Sequence, residues 1–212
     1  MKPLKTLADH WDENARSGDT FHAKTDASLR AQLMRFEDFL TIHKKDLKGR
    51  SVLDVGCGTG GFYERLKKKR ISCDYLGVDI SPEMIRICRD RFPAGKFELT
   101  DILKWKSEPK FDYSTAFAIN TVVIPGGWDL FKSITQKQFE LCRVATHFTC
   151  LTDRYPKGFA SHIQPWPAER VLEMALKITP FVTLQHHYLP NDFSVTLYRD
   201  LLIDRCPQLV KP

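Results

Sequence analysis

Four glycines fall within six residues at Gly56-Cys57-Gly58-Thr59-Gly60-Gly61. They follow the β-rich run Ser51-Val52-Leu53-Asp54-Val55 and precede a helical pattern from Phe62 to Lys69. Closely spaced glycines let the backbone turn sharply and let a ligand approach the main chain. The N–H groups that open the next helix lack partners inside it and face the same place. Strand, tight turn and helix in that order begin a parallel crossover unit, and from about residue 50 the chain keeps alternating short β-rich runs with helical patterns.

Tyr75-Leu76-Gly77-Val78-Asp79 reads as the second strand. Ser81-Pro82-Glu83 opens a helix: Ser81 can cap, Pro82 suits the first helical position, and Glu83 favours the positive end of the dipole. Met84, Ile85, Ile87 and Cys88 supply its apolar side. Lys96 to Thr100 and Phe111 to Ile119 follow as strands. A helix is expected from about Trp128 to Arg143, a strand over Phe148 to Thr152, and a helix from Pro167 to Ile178. Phe181 to Tyr188 and Phe193 to Tyr198 are β-rich runs separated by Leu189-Pro190-Asn191-Asp192. No crossover fits in that gap, so the two must pair antiparallel as a hairpin. The expected fold is α/β: a doubly wound, mostly parallel sheet with helices on both faces and an antiparallel hairpin at its C-terminal end.

Residues 48–212 are assigned to this domain. Residues 1–47 form an N-terminal segment with a helix over Ala31 to His43. Its first 25 residues are polar but contain Trp11 and Phe21, and suit either an unanchored tail or a flap over a ligand. At 212 residues the chain fits one domain with a real core. No stretch approaches the ~20 apolar residues of a membrane span, and the charged start lacks a secretory core, so a cytoplasmic protein is expected. The six cysteines form no CxxC pair and no metal-ligand spacing, which predicts reduced thiols and no metal. The net charge of +6 comes from scattered residues. The one dense run, Lys67-Lys68-Lys69-Arg70, falls at a helix end, where cations are favoured.

Asp54, Asp79 and Asp101 stand at the C-terminal ends of the first three strands, where open α/β sheets bind ligands. Gly56, Gly58 and Gly61 also satisfy a dinucleotide-type GxGxxG. However, Asp54 precedes the first glycine, and a carboxylate there repels phosphate while accepting from an ammonium group. Asp79 can accept the hydroxyls of a ribose. Ile80 and Met84 can sandwich a flat base, Asp101 can accept from an exocyclic amine, and Ile102 can pack on the ring. A cationic ligand with an amino acid end, a ribose and an adenine fits these acids better than a diphosphate. Asp112 reads as a strand-start residue.

Val52-Leu53-Asp54-Val55-Gly56-Cys57-Gly58-Thr59-Gly60, Gly77-Val78-Asp79-Ile80-Ser81-Pro82-Glu83-Met84-Ile85, Asp101-Ile102 and Phe111-Asp112-Tyr113 together resemble the class I S-adenosylmethionine-dependent methyltransferases over about residues 48 to 200. The resemblance implies a Rossmann-like sheet of seven strands. It also implies S-adenosylmethionine as cofactor and S-adenosylhomocysteine as product. Asp54 and the loop, including Gly56, Cys57, Gly58 and Gly60, would hold the methionyl end, Asp79 the ribose and Asp101 the adenine. Asp9-His10-Trp11-Asp12-Glu13 is similar to the start of small-molecule members whose N-terminal segment covers the cofactor, which places Trp11 in the site; Asn120 is assigned there too.

Methyl transfer from a sulfonium mainly requires an aligned acceptor and excluded water. The acceptor is expected beyond the fourth and fifth strands, near Thr121, Trp128, Arg154, Tyr155 and Trp166, with His162 as a candidate base. Ala118-Ile119-Asn120-Thr121-Val122-Val123 lacks the two prolines and aromatic of members that methylate base amino groups, and Cys150 sits mid-strand as a core thiol. A small-molecule acceptor, methylated on oxygen or nitrogen, is the leading reading. The alternatives are an RNA or protein methyltransferase, a non-catalytic cofactor-binding partner subunit and, more distantly, an NAD-dependent oxidoreductase. The acceptor's identity and the oligomeric state are not encoded in these motifs.

Overall fold

A computed structural model describes residues 3–16, 29–106 and 111–200. Two helices, α1 (Pro3–Arg16) and α2 (Leu29–His43), precede the first strand. The alternating part then runs β1 (Ser51–Val55), α3 (Gly61–Lys68), β2 (Asp74–Asp79), α4 (Pro82–Arg91), β3 (Phe97–Leu99), β4 (Phe111–Phe117), α5 (Gly127–Leu141), β5 (Cys142–Leu151), α6 (Ala168–Leu176), β6 (Val182–Leu189) and β7 (Asp192–Tyr198). The seven strands make one sheet in the order β3-β2-β1-β4-β5-β7-β6. Strands β1 to β5 are parallel, and β7 runs antiparallel to both of its neighbours. The expected hairpin is present, with β7 inserted between β5 and β6.

Residue alternation along each strand feeds two layers. On one face Leu53, Val55, Val78 and Phe148 pack with Phe131 and Phe139 of α5 and Val171 of α6. On the other, Val52, Tyr75 and Tyr113 pack with Phe36, Phe39 and Leu40 of α2 and Phe62 of α3. Helix α4 starts as its sequence dictates: the Ser81 hydroxyl accepts from the Met84 N–H at 3.1 Å, Pro82 follows, and Met84, Ile85, Ile87 and Cys88 are buried.

Among the boundaries that differ from the sequence reading, three bear on the core and the site. Helix α5 stops at Leu141, not Arg143. Strand β5 starts at Cys142 rather than Phe148, because Cys142 and Ala145 already pair with β4. Arg143 and Thr146 hide that start, since the sheet overrides their weak apolar pattern. Strand β4 ends at Phe117 rather than Ile119, where Ala118 takes a left-handed φ of 56°. The tail alternative for the N-terminus does not hold over residues 3–16. These form α1, which lies on α4 with Trp11 and Ala15 against Met84 and Ile87. Asp12 Oδ1 accepts from the Ser81 hydroxyl at 2.5 Å and from the Glu83 N–H at 3.3 Å, adding a second cap to α4. Phe21 and Cys206 lie outside the described residues.

Cys57, Cys73, Cys88, Cys142 and Cys150 are free thiols, and no metal-binding cluster occurs among the described residues. Lys68 and Lys69, at the end of α3, pair with Glu64 and Glu37. No helix among the described residues is long and apolar enough to cross a membrane.

Candidate functional site

A cavity of about 440 Å³ opens at the C-terminal edge of the parallel strands. Because β1 is flanked by β2 on one side and β4 on the other, chain reversal opens a crevice there. One end of the cavity is built by the β1 and β2 termini, the other by the ends of β4 and β5 and the start of β7, and α2 borders both, since a Cβ on Gly61 of the glycine loop would lie 3.4 Å from Phe36 and 3.5 Å from Gln32.

The first end is polar and held by backbone. Gly56 and Gly58 have φ of 71° and 55°. A Cβ on Gly56 would lie 2.3 Å from the Ile119 Cγ2, so only glycine lets the two loops meet. Asp79 Oδ2 accepts from the Gly58 N–H and Oδ1 from the Ser81 N–H, both at 2.9 Å, tying the glycine loop to the start of α4. Asp54 Oδ2 accepts from the Tyr75 hydroxyl at 2.6 Å and Oδ1 from the Thr115 hydroxyl at 3.1 Å. Burial pushes the Asp54 carboxyl up to about 7 although those hydroxyls pull it down; the Asp79 charge adds to the rise. Burial also raises Asp79, against the pull of its backbone donors. Both carboxylates line the cavity, and no Lys, Arg or His among the described residues pairs with either. Uncompensated buried acids of this kind favour a cationic, hydrogen-bond-donating ligand over a phosphate.

The second end is largely apolar. Phe36, Phe117, Leu151, Phe159 and Ile163 form its walls. The segment around His162 straps over it: the Val123 N–H donates to the His162 carbonyl at 2.9 Å and the Gln164 N–H to the Thr121 carbonyl at 2.8 Å. Arg35 of α2 also lines this end, 4% exposed. Its Nε donates to Asp192 Oδ2 at 2.6 Å, and its Nη2 lies 2.5 Å from the same oxygen. The Tyr188 hydroxyl donates to Asp192 Oδ1 at 2.5 Å. Burial pushes the Asp192 carboxyl up and Arg35 pulls it down. A guanidinium does not give up its proton, so the two stand as an ion pair.

Most of the anticipated cofactor residues meet in this cavity: Asp54, Gly56, Cys57, Gly58, Asp79, Ile80, Met84, Ile102 and, from α1, Trp11. Gly60, at φ 81°, caps α3 just behind the wall, where an added Cβ would meet Phe92 at 2.9 Å. Asp101 is off the wall. Its Oδ1 accepts from the Leu103 N–H at 3.1 Å and its Oδ2 pairs with Lys104 at 2.9 Å, a turn-capping arrangement. Asn120 is also off the wall: its carbonyl accepts from the Trp166 indole at 2.9 Å, and its side-chain amide reaches the Cys150 sulfur at 3.3 Å.

The acceptor residues divide. Thr121 and His162 line the second end, His162 at its exposed rim. The other four do not reach it. Arg154 is drawn to Glu169 at 2.8 Å and stays exposed. Tyr155 packs at a tilt against Phe159, with ring centroids 5.3 Å apart. Trp166 is buried against Phe131 and Trp128, and Trp128 carries the Arg170 guanidinium 4.0 Å above its ring. Cys150 is a core thiol that burial raises, and Asp112 ties the start of β4 to Ser51 and Arg50. Sequence reasoning missed Gln32, Arg35, Phe36 and Asn191. The one signal was a charged residue set among Leu33, Met34 and Phe36; its partner lies 157 residues away.

Residues 52–136 match a family described as a methyltransferase domain. A trans-aconitate 2-methyltransferase of Rhodopseudomonas palustris is 33% identical over 95 residues, 42% of this chain and 37% of that protein. The match thus spans little more than a third of that relative's length. The fold resembles a plantazolicin methyltransferase in complex with S-adenosylhomocysteine, with a TM-score of 0.72, 14% identity, and 93% and 95% of the two chains covered. It also resembles magnesium protoporphyrin IX methyltransferase of Synechocystis with bound S-adenosylmethionine, with a TM-score of 0.69, 11% identity, and 94% and 98% covered.

Proposed function

We propose that this chain carries a class I, S-adenosylmethionine-dependent methyltransferase domain and transfers the methyl group of S-adenosylmethionine to a small-molecule acceptor on oxygen or nitrogen, a reading supported by the family match and the structural neighbours. The observation that carries the reading is the pair of buried carboxylates, Asp54 and Asp79, facing one end of a two-ended cavity with no cation of the described chain beside them. An ammonium and a ribose satisfy those acids; a diphosphate does not.

In this reading Asp54 and Gly56 to Gly58 hold the amino acid end, Asp79 the ribose, and Ile80, Met84 and Ile102 the base. When bound, the cofactor supplies an activated methyl on a good leaving group. The protein's share is then alignment and exclusion of water. The apolar second end does both for a small acceptor. Helix α1 serves as the lid, with Trp11 over the cavity and Asp12 latched on Ser81. His162 takes the proton where the acceptor carries one. Turnover unchanged in His162→Ala would remove that role. An enclosed chamber, and basic side chains such as Arg65 and Arg86 paired with acids, favour a small molecule over RNA.

Calorimetric titration with S-adenosylhomocysteine tests the reading, using wild type, Asp79→Ala and NAD as control ligand. Micromolar binding that is lost in the variant and absent for NAD is expected. A folded wild type that binds no S-adenosylhomocysteine overturns it.

A further inference from the structure

We infer that Cys57 and Cys88 are a redox-sensitive pair beside the cavity, joined by a peroxide into a disulfide that weakens cofactor binding; the effect on binding rests on the methyltransferase reading above. Cys57 belongs to the glycine loop and lines the cavity, whereas Cys88 lies fully buried on α4. The two sulfurs converge on one atom. The Cys88 thiol donates to the Gly58 carbonyl at 3.0 Å, and the Cys57 thiol lies 3.9 Å from the same oxygen. The Cys88 thiol, together with burial, holds the Cys57 thiol well above its ordinary range. Glycines make the room: a Cβ on Gly60 would lie 3.4 Å from the Cys88 sulfur, and a Cβ on Gly77 would lie 3.0 Å from the Cys57 sulfur. Methyl transfer as derived above uses neither thiol.

Cys57 is the sulfur a small oxidant reaches, through the cavity before the cofactor binds. Its thiolate attacks the O–O bond of hydrogen peroxide; one oxygen stays on sulfur as a sulfenic acid and the other leaves as water. The Cys88 sulfur then attacks the Cys57 sulfur, the S–O bond breaks, and hydroxide leaves as water with the Cys88 proton. Two thiols thus lose two electrons and two protons, and the peroxide is reduced to two waters. Because the thiolate is the nucleophile, a raised Cys57 thiol makes the first step slow. By the same token no thiolate stabilises the reduced form, so the disulfide resists reduction once made. A covalent bond brings the sulfurs closer than separate atoms can sit. It also strips the Cys88 S–H donor from the Gly58 carbonyl, in the residue whose N–H is held by Asp79. The loop that holds the amino acid end is thereby drawn towards α4.

The test treats the reduced full chain with hydrogen peroxide, with and without saturating S-adenosylhomocysteine. Cysteines are then mapped by peptide mass, and S-adenosylhomocysteine affinity is measured by calorimetry on the sample oxidised alone. A Cys57–Cys88 link should form, in step with a tenfold or greater loss of affinity that a dithiol reductant restores. Bound S-adenosylhomocysteine should slow the link tenfold or more. Cys88→Ala should form no link and carry its oxidation at Cys57. No link at a dose that oxidises the half-buried Cys73, or a link that leaves affinity within twofold, overturns the inference and leaves the cofactor reading intact. Reduced wild type that binds no S-adenosylhomocysteine overturns the cofactor reading and the effect on binding, while the link itself is still decided by mass.

Discussion

The two ends of the cavity are built by opposite strategies. At the β1–β2 end the ligand-facing groups come from short stretches: the glycine loop, Asp79 and the start of α4 lie within about thirty residues, and backbone N–H groups fix the carboxylate. At the β4–β5–β7 end the walls come from α2, two strand ends, a strap and the β6–β7 turn, joined by side chains as far apart as Arg35 and Asp192. Locally encoded geometry suits a ligand that does not change. Geometry assembled over long range can be altered wall by wall without touching the cofactor end.

The contrast can be broken, and the hardest test is Asp192→Asn. It leaves a buried guanidinium uncompensated and should lower the unfolding free energy by about 3–5 kcal/mol in urea titration. A loss below ~1 kcal/mol would mean the second end does not depend on that pair. Next comes a pair of alanines in the glycine loop. Gly56→Ala meets Ile119 at 2.3 Å as well as an unfavourable φ and should cost about 2–4 kcal/mol. Gly58→Ala has nothing within 4 Å and should cost only the ~1–2 kcal/mol of a left-handed residue. Equal losses would mean that close approach of the two loops at Gly56 is unimportant.

A pH series sharpens the electrostatic side of the comparison. Asp54 is raised from 3.8 to about 7 in the folded protein. The folded state therefore holds this proton where the unfolded state does not. Its contribution to stability is present below about pH 4, declines as pH rises, and is gone above about pH 7. An ammonium ligand needs the ionised form, so S-adenosylhomocysteine affinity should climb as pH rises to about 7, roughly tenfold per unit below that value. Asp54→Asn should flatten the slope; a slope kept by the variant assigns it to another group. The smallest effect is expected at the hinge between the two ends. Ala118→Gly relieves a left-handed φ of 56° and should raise stability by up to about 1 kcal/mol, read as a shift in the urea midpoint.

The same division decides what the sequence disclosed. β1, the glycine loop, Asp79 and the Ser81-Pro82 cap were legible because propensity, capping and ligand chemistry coincide within a few residues. The terminal hairpin was legible from the length of its connection. Its insertion beside β5 was not, because strand order depends on which edges meet in space. Arg154, Tyr155, Trp128 and Trp166 were plausible by position but were claimed by nearer partners: Glu169, Phe159, Arg170 and the aromatic core. Asp101 had the right strand end, and its carboxylate turned to Leu103 and Lys104. Arg35 was out of reach because its role exists only once β7 is in place.

That strand order also imposes a timetable. A chain leaving the ribosome from its N-terminus can pair β1 to β4 by residue 117, which completes the cofactor end. Strand β5 then waits with an open edge, and β6 emerges with no neighbour of its own, since the strand that joins them is made last. Until β7 arrives, two unpaired edges are available to other chains, a known route to aggregation. Asn191 and Asp192 arrive with it. The far wall of the cavity is therefore finished by the same event that seals the sheet, after the glycine loop and its carboxylates are already in place.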